Sequence, residues 1–156
     1  MRRVPVCLLA ALAAGAAWPG LPASADAASG LWARRAELLT VDAAFRLDGA
    51  RIEHGAVVVS WSIAGGYYLY RDRLHFRATL PAGAVLQAPM LPEPARVEEP
   101  GHGAAAVYRN ALQARLGWPA AAPAPRRIAV SYQGCADAGF CYPPQTRLIE
   151  VIQASP

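Results

Sequence analysis

Two cysteines, Cys135 and Cys141, stand six residues apart in Gly134-Cys135-Ala136-Asp137-Ala138-Gly139-Phe140-Cys141. If Asp137-Ala138-Gly139 is a three-residue hairpin loop, Gly139 takes the left-handed position that closes such loops. Ala136 then faces Phe140, and Cys135 faces Cys141. With Ala136 and Phe140 as the hydrogen-bonded pair, the cysteines form the next, non-hydrogen-bonded pair, with Cα atoms about 4.5 Å apart. That separation lies at the short end of what a disulfide spans. The spacing therefore predicts a cross-strand disulfide at a hairpin tip.

Such a bond closes a loop of about seven residues, for which chain entropy supplies roughly 2.4 kcal/mol, less than a longer loop would give. A redox role and a structural staple both fit the spacing. No Lys, Arg or His lies inside the motif, and Asp137 would disfavour a nearby thiolate. The pair then suits a dithiol that hands electrons on rather than a strong oxidant.

The elements that must position the pair read as strands. Residues 57–63, 67–70, 75–80, 127–133 and 146–152 are β-rich, and between 127 and 133 Ile128, Val130 and Tyr132 alternate with Ala129, Ser131 and Gln133. Continuing that alternation puts Cys135 on the more polar face. Asp48-Gly49, Ala64-Gly65-Gly66, Pro81-Ala82-Gly83 and Pro119 to Pro125 read as turns, and 89–105 as a long loop. Short strands with Gly/Pro punctuation predict an all-β sandwich.

Met1-Arg2-Arg3, the apolar run Val4 to Ala17 and Ala23-Ser24-Ala25 have the pattern of a secretory signal peptide over 1–25, and 26–37 is expected to be a leader segment before a domain over 38–156. Cleavage would remove Cys7, leaving an even pair in an oxidising compartment. The net charge of +4 includes Arg2 and Arg3. The remaining arginines are scattered, which argues against a nucleic-acid partner. His54, His75 and His102 make no metal spacing with the cysteines, and no phosphate-binding loop is present, so neither metal nor cofactor is expected. Cys135, Cys141 and Met90 as soft ligands for Cu(I) is a weaker reading.

The run Gly134 to Pro144 resembles the cysteine hairpin of the N-terminal domain of the DsbD family of thiol:disulfide interchange proteins. Gly66-Tyr67-Tyr68-Leu69-Tyr70-Arg71 and Val107-Tyr108-Arg109 resemble two further segments of that domain, and the likeness runs over about 38–152. The resemblance implies an immunoglobulin-like β-sandwich with a cysteine-bearing hairpin, working as a periplasmic protein-disulfide reductase module. It implies that Cys141 forms the mixed disulfide and Cys135 resolves it, with Tyr68, Tyr70, Asp137 and Phe140 near the site. Electrons would come from a membrane-embedded donor and go to thioredoxin-like periplasmic partners, namely a disulfide isomerase and a cytochrome c maturation factor. The family covers its cysteines with a cap loop of the Asp-Glu-Phe-Tyr-Gly type. Here Glu98-Glu99-Pro100-Gly101-His102-Gly103 keeps the acids Glu98 and Glu99 and lacks the aromatic residue, so a less shielded pair is expected; His102 reads first as a solvated loop histidine and second as a cover over the sulfurs. Family members continue into membrane and thioredoxin-like domains, so this chain is expected to be a stand-alone exported module or a shortened form. The alternative is a non-catalytic secreted binding module stapled by the same disulfide.

Overall fold

The computed structural model describes residues 38–99 and 103–153. A four-residue helix, α1 (Val41–Ala44), is capped by the Thr40 hydroxyl, which accepts from the Ala43 N–H. Ten strands follow: β1 (Phe45–Glu53), β2 (Ala56–Ile63), β3 (Tyr67–Tyr70), β4 (His75–Leu80), β5 (Ala95–Glu99), β6 (Gly103–Tyr108), β7 (Ala111–Leu116), β8 (Arg127–Tyr132), β9 (Gly134–Ala136) and β10 (Gln145–Gln153). They form a six-stranded sheet, β4-β8-β10-β1-β2-β7, and a four-stranded sheet, β5-β6-β3-β9. All pairings are antiparallel except β1 with β10. The fold is the all-β, immunoglobulin-like sandwich expected from the strand pattern and the resemblance.

The core follows from period-two alternation. Val57, Val59, Trp61 and Ile63 of β2 meet Ile128, Val130 and Tyr132 of β8, Leu112, Ala114 and Leu116 of β7, and Tyr67 and Leu69 of β3. Trp61 packs edge-on against Tyr132, their ring centres 6.1 Å apart. The alternation read for 127–133 thus points its apolar side inward as expected.

Three sequence expectations need correction. Asp48-Gly49 is no turn but a bulge inside β1, where the register shifts between Leu47 and Gly49; the turn comes at His54-Gly55. The loop expected over 89–105 contains β5 and the start of β6. Prolines and a run of alanines hid them, since these residues have weak strand preference and are held extended by pairing with each other and with β3. Strands β1 and β7 were also absent from the strand reading, although Leu112, Ala114 and Leu116 alternate with exposed or half-buried neighbours.

The chain passes from one sheet to the other between β8 and β9. Gln133 carries the bend, donating its side-chain amide to the Tyr142 carbonyl at 3.1 Å. Gly134 follows because no side chain fits. A Cβ there would lie 2.4 Å from the Tyr68 carbonyl oxygen and 2.6 Å from the Phe45 ring. Gly134→Ala is therefore expected to destabilise the domain by about 1–3 kcal/mol through overpacking, read as a lowered urea midpoint.

Candidate functional site: a cystine on a surface hairpin

β9 is the first arm of the hairpin and Cys141–Tyr142 the second. Ala136 N–H donates to the Phe140 carbonyl at 2.8 Å, and Tyr142 N–H donates to the Gly134 carbonyl at 3.0 Å. Gly139 has φ +83°, the left-handed conformation that the loop reading required. Cys135 and Cys141 are bridged as a non-hydrogen-bonded pair, with Cα atoms 4.0 Å apart and their sulfurs bonded.

The two sulfurs differ in access. Cys135 is 0% exposed, whereas Cys141 lies at the surface. Alternation explains why. Tyr67, Leu69 and Ala136 point into the sandwich, so Tyr68 and Cys135, which pair across β3 and β9, point out of the other face of the four-stranded sheet. There Tyr68, Val107 and Cys135 make a small cluster of their own, with Tyr70, Val97 and Ala105 packed against it. The expectation that Cys135 faces away from the core holds, but the expected polar surroundings do not: β9 has joined a different sheet from β8, and its neighbours there are aromatic and aliphatic.

Tyr70 stands over the disulfide. Its hydroxyl is 3.1 Å from Cys135 Sγ and 3.9 Å from Cys141 Sγ. Since bonded sulfurs carry no hydrogen, the phenol is the donor. The Tyr68 ring meets the Tyr70 ring edge-on at 5.5 Å, and the Arg109 guanidinium lies 4.9 Å from the centre of the Tyr68 ring.

Asp137 departs from its expected role. Arg109 donates to both of its carboxylate oxygens, at 2.7 and 3.0 Å, and this pairing holds the Asp137 carboxyl below the usual range. The one acid of the hairpin is thus neutralised rather than left facing the sulfurs. Arg109 was quoted in the sequence only as part of a resembling segment. Its partner lies 28 residues on, so spacing gave no sign of the ion pair.

Phe140 packs edge-on against Tyr142 at 5.0 Å. Glu98 is exposed on β5, Glu99 is in β5 with its side chain outside the described part, and His102 lies outside the described residues altogether. What β5 and β6 bring to the sulfur cluster is Val97, Ala105 and Val107 rather than acids. Met90 bridges to Arg115 at the edge of the six-stranded sheet. Among the described residues no group of three or more His, Cys, Asp or Glu side chains forms a metal site.

The base of the hairpin is anchored by Tyr142. It packs edge-on against Phe45 at 5.4 Å, and its hydroxyl donates to the Leu39 carbonyl at 2.6 Å. The Leu39 N–H in turn donates to the Tyr67 hydroxyl at 2.9 Å. Burial first, then the neighbouring Tyr67, pushes Tyr142 up to about 12. A raised value means the folded state keeps a proton that the unfolded chain loses. Its stabilisation is whole below about pH 10 and is lost as pH rises toward the folded value. Burial raises Tyr108 and Tyr132 as well, so ultraviolet titration should show more than one tyrosine ionising late, with the late amplitude reduced by one tyrosine in Tyr142→Phe.

A sandwich of the immunoglobulin type whose cystine bridges a surface hairpin, one sulfur covered and one open, defines a cystine-hairpin domain. The chain belongs to the family "Thiol:disulfide interchange protein DsbD, N-terminal", whose profile matches residues 35–153. It is 39% identical over 127 residues to the thiol:disulfide interchange protein DsbD of Pseudomonas sp. (strain JR1 / K1), covering 81% of this chain and 21% of that protein. It is 42% identical over 119 residues to DsbD 2 of Pseudomonas aeruginosa, covering 76% and 19%. The chain thus spans about a fifth of the length of these curated relatives. Among solved structures it is similar to the reduced DsbD N-terminal domain of Neisseria meningitidis, with TM-score 0.64 and 26% identity over 75% of this chain and 91% of that one. It is also similar to a chain of the complex between the DsbD and PilB N-terminal domains of the same organism, with TM-score 0.62 and 27% identity over 73% and 87%.

Proposed function

We propose that this domain is a periplasmic thiol–disulfide exchange module, passing electrons through the Cys135/Cys141 pair to thioredoxin-like proteins. The observation that carries this reading is the asymmetry of the cystine: a surface sulfur at Cys141 bonded to a covered one at Cys135. A structural staple requires no such difference. An open cleft of about 960 Å³ runs from Cys141 past Tyr70, Arg71, Pro92 and Arg96, giving a protein partner room to approach.

On receipt of electrons, a donor thiolate attacks Cys141 Sγ. The Cys135–Cys141 bond breaks, and Cys135 leaves as a thiolate that takes the Tyr70 hydrogen bond and then a proton. A buried sulfur anion is costly, and a charge-assisted hydrogen bond offsets part of that cost. The donor's second thiolate then attacks its own mixed-disulfide sulfur and releases Cys141 as a thiolate. On delivery, Cys141 attacks the acceptor's disulfide and expels one acceptor thiolate. Cys135 then attacks Cys141 Sγ, reforming the bond and releasing the second thiolate. Two electrons enter and two leave.

The donor is assigned as a membrane-embedded protein and the acceptors as a disulfide isomerase and a cytochrome c maturation factor. The complex of the Neisseria DsbD and PilB N-terminal domains supports a protein as partner. Residues 1–25 are assigned as the cleaved export signal, 26–37 as a leader and 38–156 as the domain. The test is equilibration in glutathione buffers and with thioredoxin, read by thiol labelling of Cys135 and Cys141. After an acid quench and unfolding, so that burial of Cys135 does not delay the reagent, both cysteines should become labelled together as the buffer turns reducing, and oxidised thioredoxin should be reduced by the dithiol form. A bond that survives excess glutathione and reduced thioredoxin alike would favour the stapled binding module instead.

A further inference from the structure

We propose that Arg109 is a positioning residue for exchange at this cystine, tying the hairpin tip to the tyrosine that covers Cys135; the inference rests on the thiol-exchange reading. Arg109 follows β6 in a tight turn. Asn110 there has φ +65°, and its carbonyl accepts from the Ile63 N–H of β2 at 2.7 Å. The root of the arginine is therefore fixed to the six-stranded sheet, while its guanidinium reaches the other sheet's outer face. One edge of that group holds both Asp137 oxygens, and one face lies 4.9 Å from the Tyr68 ring centre. Only a planar fork makes both contacts at once; an ammonium group cannot.

The consequences run along a chain of contacts. Asp137 is in the hairpin loop, and its own N–H donates to the Gly66 carbonyl at 2.8 Å. Tyr68 pairs with Cys135 across the strands and packs on Tyr70, whose hydroxyl touches Cys135 Sγ. One side chain thus sets where the tip carrying Cys141 lies and where the cover over Cys135 lies. The Arg109 side chain is 32% and the Asp137 side chain 50% exposed, and ion pairs so open to water contribute little to stability. A contact of small energetic weight that bridges the loop to the cover acts through geometry, and exchange is sensitive to geometry because the attacking, central and leaving sulfurs must line up.

The test uses the reduced protein with two readouts: iodoacetamide labelling of Cys135 relative to Cys141 by mass spectrometry, and the rate of reduction of oxidised thioredoxin. Arg109→Met is expected to raise the Cys135/Cys141 labelling ratio and to slow thioredoxin reduction, each on the order of tenfold, with the unfolding midpoint nearly unmoved. Arg109→Lys should fall between, keeping charge without the fork. Asp137→Asn changes only the exposed end of the contact and should show the part due to the loop. A merely structural role would shift the midpoint and leave the labelling ratio of the folded protein alone. Folded Arg109→Met that labels and exchanges like the parent overturns the proposal. If that variant does not fold, an unchanged Asp137→Asn overturns it. Should the parent itself fail to reduce thioredoxin, the functional reading falls, while the labelling ratio still decides the role of Arg109.

Discussion

Replacing Cys135 with alanine is expected to turn the domain into a trap for a partner that keeps only one of its two thiols: a mixed disulfide between Cys141 and that thiol accumulates and does not resolve, because neither protein retains a second sulfur to break it. The reason is access. Cys141 is at the surface, whereas Cys135 is 0% exposed and, among the described residues, packs with Tyr68, Tyr70 and Val107. An incoming sulfur therefore bonds to Cys141, and release depends on its neighbour. Well-oriented neighbours act at effective molarities of about 10⁵ M or more, far above any thiol in solution, so losing Cys135 slows release by orders of magnitude. The variant should stay folded. It loses roughly 2.4 kcal/mol of loop-closure stabilisation, while the Ala136–Phe140 and Gly134–Tyr142 hydrogen bonds and the Arg109–Asp137 pair remain. Cys141→Ala should form no mixed disulfide at all. Non-reducing gels and mass spectrometry distinguish the two after mixing with a thioredoxin variant that keeps one active-site cysteine, activated as its thionitrobenzoate mixed disulfide: Cys141 displaces thionitrobenzoate and stays bonded to thioredoxin unless Cys135 releases it. Equal trapping through either cysteine would contradict the asymmetry.

The pairing of the two cysteines was legible in the sequence because what brings them face to face is local. Six residues of spacing and a glycine at the loop's last position suffice to bring the sulfurs together. The Cα separation of 4.0 Å lies close to the roughly 4.5 Å that strand geometry implies. What covers the hairpin was not legible from spacing. Tyr68 and Tyr70 come from a strand 65 or more residues upstream, and only the family resemblance pointed to them. The polarity around Cys135 was misread for the same reason: alternation predicts which side a residue takes but not which sheet lies there once the chain crosses at Gln133. β5 and β6 escaped notice because Ala104, Ala105 and Ala106 carry little strand preference of their own, and their extended state is imposed by pairing. Arg109 shows the limit most clearly, since its weight comes from two partners, Asp137 and Tyr68, that lie 28 residues downstream and 41 upstream.

The same dependence on long-range partners makes Tyr142 the residue whose loss should most disturb stability and exchange together. Next to Cys141 in sequence, it is the link between the redox hairpin and the core. Its ring contacts Phe45, Tyr67 and Phe140, and its hydroxyl holds Leu39. Tyr142→Ala is expected to cost about 3–5 kcal/mol, the usual range for deleting a buried aromatic side chain. Tyr142→Phe should cost only about 1 kcal/mol, because the ring contacts survive and one hydrogen bond is lost. The two variants separate anchoring by packing from anchoring by the hydroxyl. If packing positions the hairpin, folded Tyr142→Ala also exposes Cys135, and in the reduced protein iodoacetamide should label it faster than in the parent. Tyr142→Phe should leave that labelling unchanged. Urea unfolding gives the energies and mass spectrometry the labelling. A Tyr142→Ala protein as stable as the parent, with Cys135 still protected, would mean that the disulfide and the local turn hold the hairpin by themselves.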